Sequence, residues 1–326
     1  MAETDEDVAG RTGGDERGDW ARESLLRLAE AGMREQRRAR RWGILFKSLV
    51  LLYLFALLFA ALNVGPLMER KPVAAGPHTA LVDVQGLIAA DTDASADRVV
   101  EGLRNAFEDD NTQGVLLRIN SPGGSPVQAG MIYDEIRRLR QEYPDTPVYA
   151  VTTDICASGG YYIAAAADRI FANRASLVGS IGVRMDSFGF VEAIDKLGIE
   201  RRLITAGDNK ALLDPFLPQD PQEVDHVQGL LNAIHEQFIT AVKAGRGDRL
   251  GDDPAMFSGL IWTGEGALEK GLVDDLMTPG EVARDVIGAE EVVDFTPRKD
   301  FWRRLSERVG ATLLEVFNEQ AEPRLR

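Results

Sequence analysis

The sequence has one cysteine, Cys156, so no disulfide can form within the chain and thiols say nothing about its redox compartment. Histidine is scarce, with His78, His226 and His235 only, and lysine supplies just seven of the 37 basic residues. His226 and His235 are nine residues apart on one helical stretch, about 900° of rotation, which puts them on opposite faces and unable to share a metal. No cluster of metal-ligand residues occurs, and no metal or other cofactor is expected. Each histidine is read as a surface or interface residue. Positive charge is also short: 37 basic against 52 acidic residues leave a formal charge of −15, which argues against nucleic acid as a partner because no extended face neutralises phosphates. No internal repeat is present, so a stacked-repeat architecture is excluded.

Among the 326 residues 44% are hydrophobic, enough for a real core in one large domain or two small ones. One apolar run stands out. In "RRARRWGILFKSLVLLYLFALLFAALNVGP", Trp42 to Leu62 is long enough to cross a bilayer, interrupted only by Lys47 near one end, where its stem can snorkel. A cleaved signal peptide is the weaker reading, because the charged leader is long, the run exceeds a typical signal core and no clean A-x-A site follows. Arg34, Arg37, Arg38, Arg40 and Arg41 precede the run, whereas only Arg70 and Lys71 follow it closely. That asymmetry places the N-terminus in the cytoplasm and the remainder outside, which in a bacterium is the periplasm.

The expected organisation is a charged tail over 1–41, mobile or forming one exposed helix from about Trp20, an anchor over 42–62, a linker over 63–78, a main domain over 79–296 and a C-terminal amphipathic helix within 297–326. From Thr79 onward short apolar runs alternate with helical segments. "ALVDVQGLI", "GVLLRI", "PVYAVT", "DRIFAN" and "RRLIT" read as strands; Ala96 to Glu108 and Val127 to Glu142 read as helices. Val224, Val227, Leu231, Ile234, Phe238 and Val242 predict a further helix from Asp220, ended by Gly245, and Phe301 to Phe317 repeats that spacing. The alternation predicts an α/β fold with a mostly parallel sheet and right-handed crossover helices.

Two glycine-rich stretches carry the chemistry. In "DICASGGYYIAA", Ser158 follows a strand and a short "TDICA" connection and opens a helix. Its hydroxyl has two ordinary uses there, to cap the helix or to act as a nucleophile with neighbouring amides open to an oxyanion. In "LLRINSPGGSPVQAG" a buried strand ends on Asn120 and Ser121, turns through Pro122, Gly123 and Gly124, and starts a helix near Pro126. The carboxyl end of a parallel strand is where such folds present ligand groups; the alternative is a tight turn with no ligand. A phosphate loop is disfavoured because its spacing and lysine are missing. A nucleophilic serine needs a base, and no carboxylate motif recruits the histidines. Lys210, in the polar loop "ITAGDNKALLDPF", is a candidate, although an amine serves only when burial keeps it neutral. A solvated loop lysine is the ordinary alternative. Cys156 is a conceivable rival nucleophile but reads as a small buried hydrophobe.

"INSPGG", "ASGGYYIA", "GSIGV" and "WTGEGALEKGLVDD", together behind one N-terminal anchor, resemble the signal peptide peptidase A family, peptidase family S49, in its short single-half form. The resemblance runs from about Thr79 to Asp275 and implies a ClpP/crotonase-like fold and a Ser/Lys dyad. It places the nucleophile on Ser158, the base on Lys210, a serine orienting the lysine on Ser180, and oxyanion donors on the backbone amides of Gly124 and Gly159. It further implies a ring-like homo-oligomer, octamer-like, whose sites draw serine and lysine from neighbouring protomers, and apolar grooves for cleaved signal peptides. Asp208 and Asp214 depart from what the resemblance leads one to expect, since an anion near the base favours its charged form. Two rival classes are a crotonase-like acyl-CoA enzyme, expected in the cytoplasm with carboxylates at its site, and a catalytically silent membrane scaffold.

Overall fold

The computed structural model describes residues 38, 40–59 and 76–297. The chain divides into two compact units, Met1–Arg70 and Lys71–Arg326. In the first, helix α1 (Arg40–Phe59) has a mean hydropathy of 2.1 over 20 residues. At about 1.5 Å per residue it spans about 30 Å, the thickness of a bilayer's hydrocarbon layer. Its large side chains, Phe46, Leu51 and Phe55 among them, are exposed. The expected anchor extends to Leu62, but 60–62 lie outside the described residues, as do the tail over 1–37 and the predicted helix over 301–317.

The second unit is built on strands β1 (His78–Gln85), β2 (Thr112–Ser121), β3 (Val148–Ala157), β4 (Arg169–Ala172), β5 (Leu177–Gly179), β6 (Ile261–Thr263), β7 (Asp275–Leu276) and β8 (Val292–Asp294). They form one sheet in the order β6-β5-β3-β2-β1-β8, with β4 beside the first half of β3 and β7 beyond it. Every pairing is parallel except β5 with β6. The helices that matter here are α2 (Ala96–Phe107), α3 (Pro126–Glu142), α4 (Gly159–Ala164), the short α5 (Val191–Lys196) and the long α6 (Pro221–Arg246). This is the parallel, crossover-connected α/β architecture predicted from the alternation.

The unbroken run in β2 has a simple cause: both sheet faces are covered. Val115, Leu117 and Ile119 face the larger core with Leu103, Ile132 and Ile163. Leu116, between them, faces a second, smaller core with Leu81, Val151 and Phe171. Helix starts follow their caps: Ser125 accepts from the Gln128 amide ahead of Pro126, and Asp220 from the Gln222 amide ahead of Pro221.

Four local expectations are corrected. His78 is no linker or surface residue; it begins β1, fully buried, stacked on Phe295 and hydrogen-bonded through Nδ1 to the Gly76 carbonyl. "TDICA" is no connection, because β3 continues through it and its last residues pair with β5. "RRLIT" forms no strand, and Ile204 is 97% exposed, so no neighbouring strand satisfies its backbone. Helix α6 runs past Gly245 to Arg246, with Gly247 as its C-cap. Gly245 serves close packing instead: a β-carbon there would sit 1.9 Å from the Ala165 carbonyl oxygen at the end of α4.

Candidate active site

The carboxyl ends of β2, β3 and β5 meet at one place. Ser158 follows the last residue of β3 and adopts φ = +51°, ψ = −121°, a conformation that an L-residue reaches only at a cost of about 1–3 kcal/mol. Two backbone bonds impose it. The Ser158 amide donates to the Gly179 carbonyl at 2.8 Å, and the Ser158 carbonyl accepts from the Tyr162 amide at 3.0 Å. Although Ser158 stands at the N-cap of α4, its hydroxyl makes no capping bond. Of the two uses open to it from sequence, capping is therefore not the one adopted.

The glycine turn of "INSPGG" lies directly on this junction. A β-carbon at Gly123 would come within 2.7 Å of Ser158 Cβ and 2.8 Å of the Gly159 amide nitrogen, so nothing larger than hydrogen fits. The Gly124 amide nitrogen lies 3.3 Å from the point where a Gly159 side chain would begin. The two predicted donors are thus neighbours in space although they come from different strand ends. Neither amide donates to a backbone acceptor among the described residues. Unused amides this close to an uncapped hydroxyl offer a negatively charged oxygen two donors at fixed positions.

Ser180 joins the same cluster from β5. Ala157 pairs with Gly179 in the parallel register, which brings the residue after each strand side by side. Ser180 shares the unusual backbone, φ = +53°, and its amide is fixed by the Leu260 carbonyl at 2.7 Å. The buried Ile181 beside it accepts from the Gly259 amide at 3.1 Å and lies 3.2 Å from His235 Nε2 on α6. His235 is thus half-buried against this loop, and His226 is exposed.

Lys210 is not brought to the cluster. It occupies an exposed turn, its amide bonded to the Gly207 carbonyl at 3.2 Å, with no hydrogen bond or ion pair of its side chain among the described residues. Its loop is nevertheless ordered from within. Glu223 of α6 accepts from the amide of Leu213, a residue at φ = +52°. Asp214, suspected from sequence of opposing a neutral lysine, is engaged elsewhere: Arg201 binds it at 2.6 Å and the Phe216 amide at 2.9 Å, and these bonds hold its carboxyl below its usual range.

Cys156 is fully buried, and loss of solvation pushes its thiol up to about 12, which leaves no thiolate for attack at neutral pH. Among the described residues no group of three or more histidine, cysteine and carboxylate side chains could hold a metal. Two supports were missed in the sequence. Tyr161 donates its hydroxyl to the Leu272 carbonyl at 2.7 Å, so the late "EKGLVDD" segment braces the helix that starts at Ser158. Ser121 ties the glycine turn to the end of β1. Both lie inside quoted motifs, but only tertiary proximity reveals their partners.

Comparison with known proteins agrees with this architecture. The family model described as Peptidase family S49 matches residues 140–292, and that described as Clp protease matches 84–180, the stretch from β1 through Ser158 to Ser180. The sheet and its crossover helices are accordingly ClpP-like. A Brucella melitensis protein named Na(+)/H(+) antiporter NhaA is 48% identical over 174 residues, covering 53% of this chain but 24% of that protein. A protein of Enterococcus faecium named as signal peptide peptidase SppA is 32% identical over 174 residues, 53% of this chain and 50% of its own length. The chain thus spans about a quarter of the first of these curated relatives and about half of the second. A protein of Synechocystis sp. named as a protease is 34% identical over 199 residues, 61% of this chain and 69% of its own length. With the strained serine and the paired ends of β3 and β5 inside both matched stretches, the chain belongs to peptidase family S49.

Proposed function

We propose that the protein is a membrane-anchored serine endopeptidase in which Ser158 is the nucleophile and Lys210 its general base. The observation that carries this reading is the uncapped hydroxyl of Ser158, held at φ = +51° beside the unused amides of Gly124 and Gly159. The neutral Lys210 amine takes the Ser158 proton as the serine oxygen bonds to a peptide carbonyl carbon. The tetrahedral oxyanion is held by the Gly124 and Gly159 amides, each donor worth about 3 kcal/mol in the transition state. The lysinium then gives its proton to the departing amine as the C–N bond breaks. Water, deprotonated by the same amine, attacks the acyl-enzyme and frees the serine. Ser180 orients the amine.

The base arrives from a neighbouring copy in a ring-like homo-oligomer. In support, residues 182–220, which carry Lys210, contain no buried residue. They expose Phe188, Phe190, Leu197, Ile199 and Ile204, an apolar surface that a second protomer would cover. Substrates are apolar extended peptides, in particular signal peptides already released from their precursors. The arginine excess before α1 supports a catalytic domain on the outer side of the membrane, where such remnants are left.

Hydrolysis of short apolar peptides by the detergent-purified protein, beside Ser158→Ala and Lys210→Ala, tests the reading. Both variants should assemble normally and lose at least about 10³-fold in kcat, as expected when a nucleophile or its base is removed. Full activity in Ser158→Ala would refute it.

A further inference from the structure

We infer that Ser121 is the positioning residue that aims the oxyanion donor at Gly124, an inference that rests on the peptidase reading above. Ser121 is the last residue of β2 and is completely buried. Its hydroxyl is used twice: it donates to the Gly86 carbonyl at 2.6 Å and accepts from the Gly123 amide at 3.1 Å. One oxygen thus joins the end of β1, the end of β2 and the glycine turn.

The consequence follows from the amides of that turn taken one by one. Pro122 has none. The Gly123 amide is taken by Ser121 Oγ, and the Ser125 amide by the Ile88 carbonyl at 2.8 Å. Gly124 alone keeps an unused N–H. Its direction is also fixed, because the Gly123 carbonyl in the same peptide plane accepts from the Ile88 amide at 2.9 Å. In a planar trans peptide the N–H points opposite to the C=O, so the Gly124 N–H is turned away from Ile88. Gly159 adjoins it, with 3.3 Å from the Gly124 nitrogen to where its side chain would start. Gly123 and Gly124 take φ = +101° and +152°, where a chain without β-carbons has little preference of its own. The turn therefore needs outside anchors: Ile88 holds the Gly123–Gly124 peptide itself, and the Ser121 hydroxyl holds the preceding Pro122–Gly123 peptide through the Gly123 amide.

Truncation at Ser121 should leave substrate binding alone and weaken transition-state stabilisation. The test is steady-state hydrolysis of an apolar peptide by the full-length protein in detergent, with active sites counted by a serine-directed fluorophosphonate. Ser121→Ala should lower kcat per counted site by about 10-fold or more with KM within about twofold, the pattern of a lost transition-state interaction. Ser121→Thr, which keeps the hydroxyl, should return kcat to within about threefold of wild type. A purely structural role would instead reduce the number of sites and leave kcat per site unchanged. Should Ser121→Ala fail to assemble, Ser121→Cys fills nearly the same space with a much weaker hydrogen-bonding group and should show the same fall in kcat. Wild-type kcat per site in either variant overturns the inference alone. A wild-type protein that neither hydrolyses peptides nor takes up the phosphonate overturns the peptidase reading, and this inference with it.

Discussion

The surroundings of Ser158 and those of Lys210 differ in almost every physical respect. Ser158 is set where three strand ends meet, with backbone bonds fixing its torsions and glycines packed too tightly to admit a methyl group. Lys210 lies in a segment with no buried residue, ordered by its own polar contacts and presenting apolar rings to the outside. A cavity of about 550 Å³ on this unit is lined by Tyr133, Tyr162 and residues of α6, and includes neither Ser158 nor Lys210. The difference teaches that one chain builds the Ser158 region completely but leaves Lys210 on an exposed surface, so the proposed mechanism needs that surface to be covered.

After loss of Ser158 itself, the most damaging change to the rigid region is Gly124→Ala. Its β-carbon would lie 2.1 Å from the Ile88 carbonyl oxygen, so the turn must move and take the donor amide with it. A loss of about 10²–10³-fold in kcat is expected, the range for removal of one oxyanion donor. Near-wild-type kcat would break the contrast between a rigid and an open half. A much smaller effect is expected at a distance from the site. Glu135 on α3 is nearly buried and joined to Arg138 at 2.8 Å and Arg104 at 2.7 Å. Hydrogen bonds from Arg138, opposed by burial and aided by Arg104, lower its carboxyl from 4.5 to about 2. Because the folded value is depressed, this stabilisation is fully present above about pH 4.5 and disappears as pH falls towards 2. Glu135→Gln should cost about 1 kcal/mol at neutral pH, the half-exposed arginines being screened by solvent, and nothing near pH 2. Thermal melts across that range check it, and kcat should not change.

Much of this was legible in the sequence for identifiable reasons. Apolar spacing of three and four marked α6, and the apolar run of β2 read as a buried strand. The serine and glycine cluster was visible because close backbone approach demands the absence of side chains. What escaped depends on partners far along the chain. Whether Ser158 caps its helix is decided by torsions set from Gly179, and the double role of Ser121 is decided by Gly86. His78 read as a linker residue because its cover, Phe295, comes from the far end of the domain. "RRLIT" has strand-like residues but no neighbouring strand, and propensity alone does not make one.

Subunit mixing addresses the central claim most directly. Equal amounts of Ser158→Ala and Lys210→Ala chains, each inactive alone, are dissociated, combined and reassembled, and peptide hydrolysis is followed. With serine and lysine drawn from adjacent protomers, random assembly makes about a quarter of the sites whole, and a corresponding share of wild-type activity should return. Mixed assemblies that form normally yet remain as inactive as their parents would contradict a base delivered by the neighbouring copy.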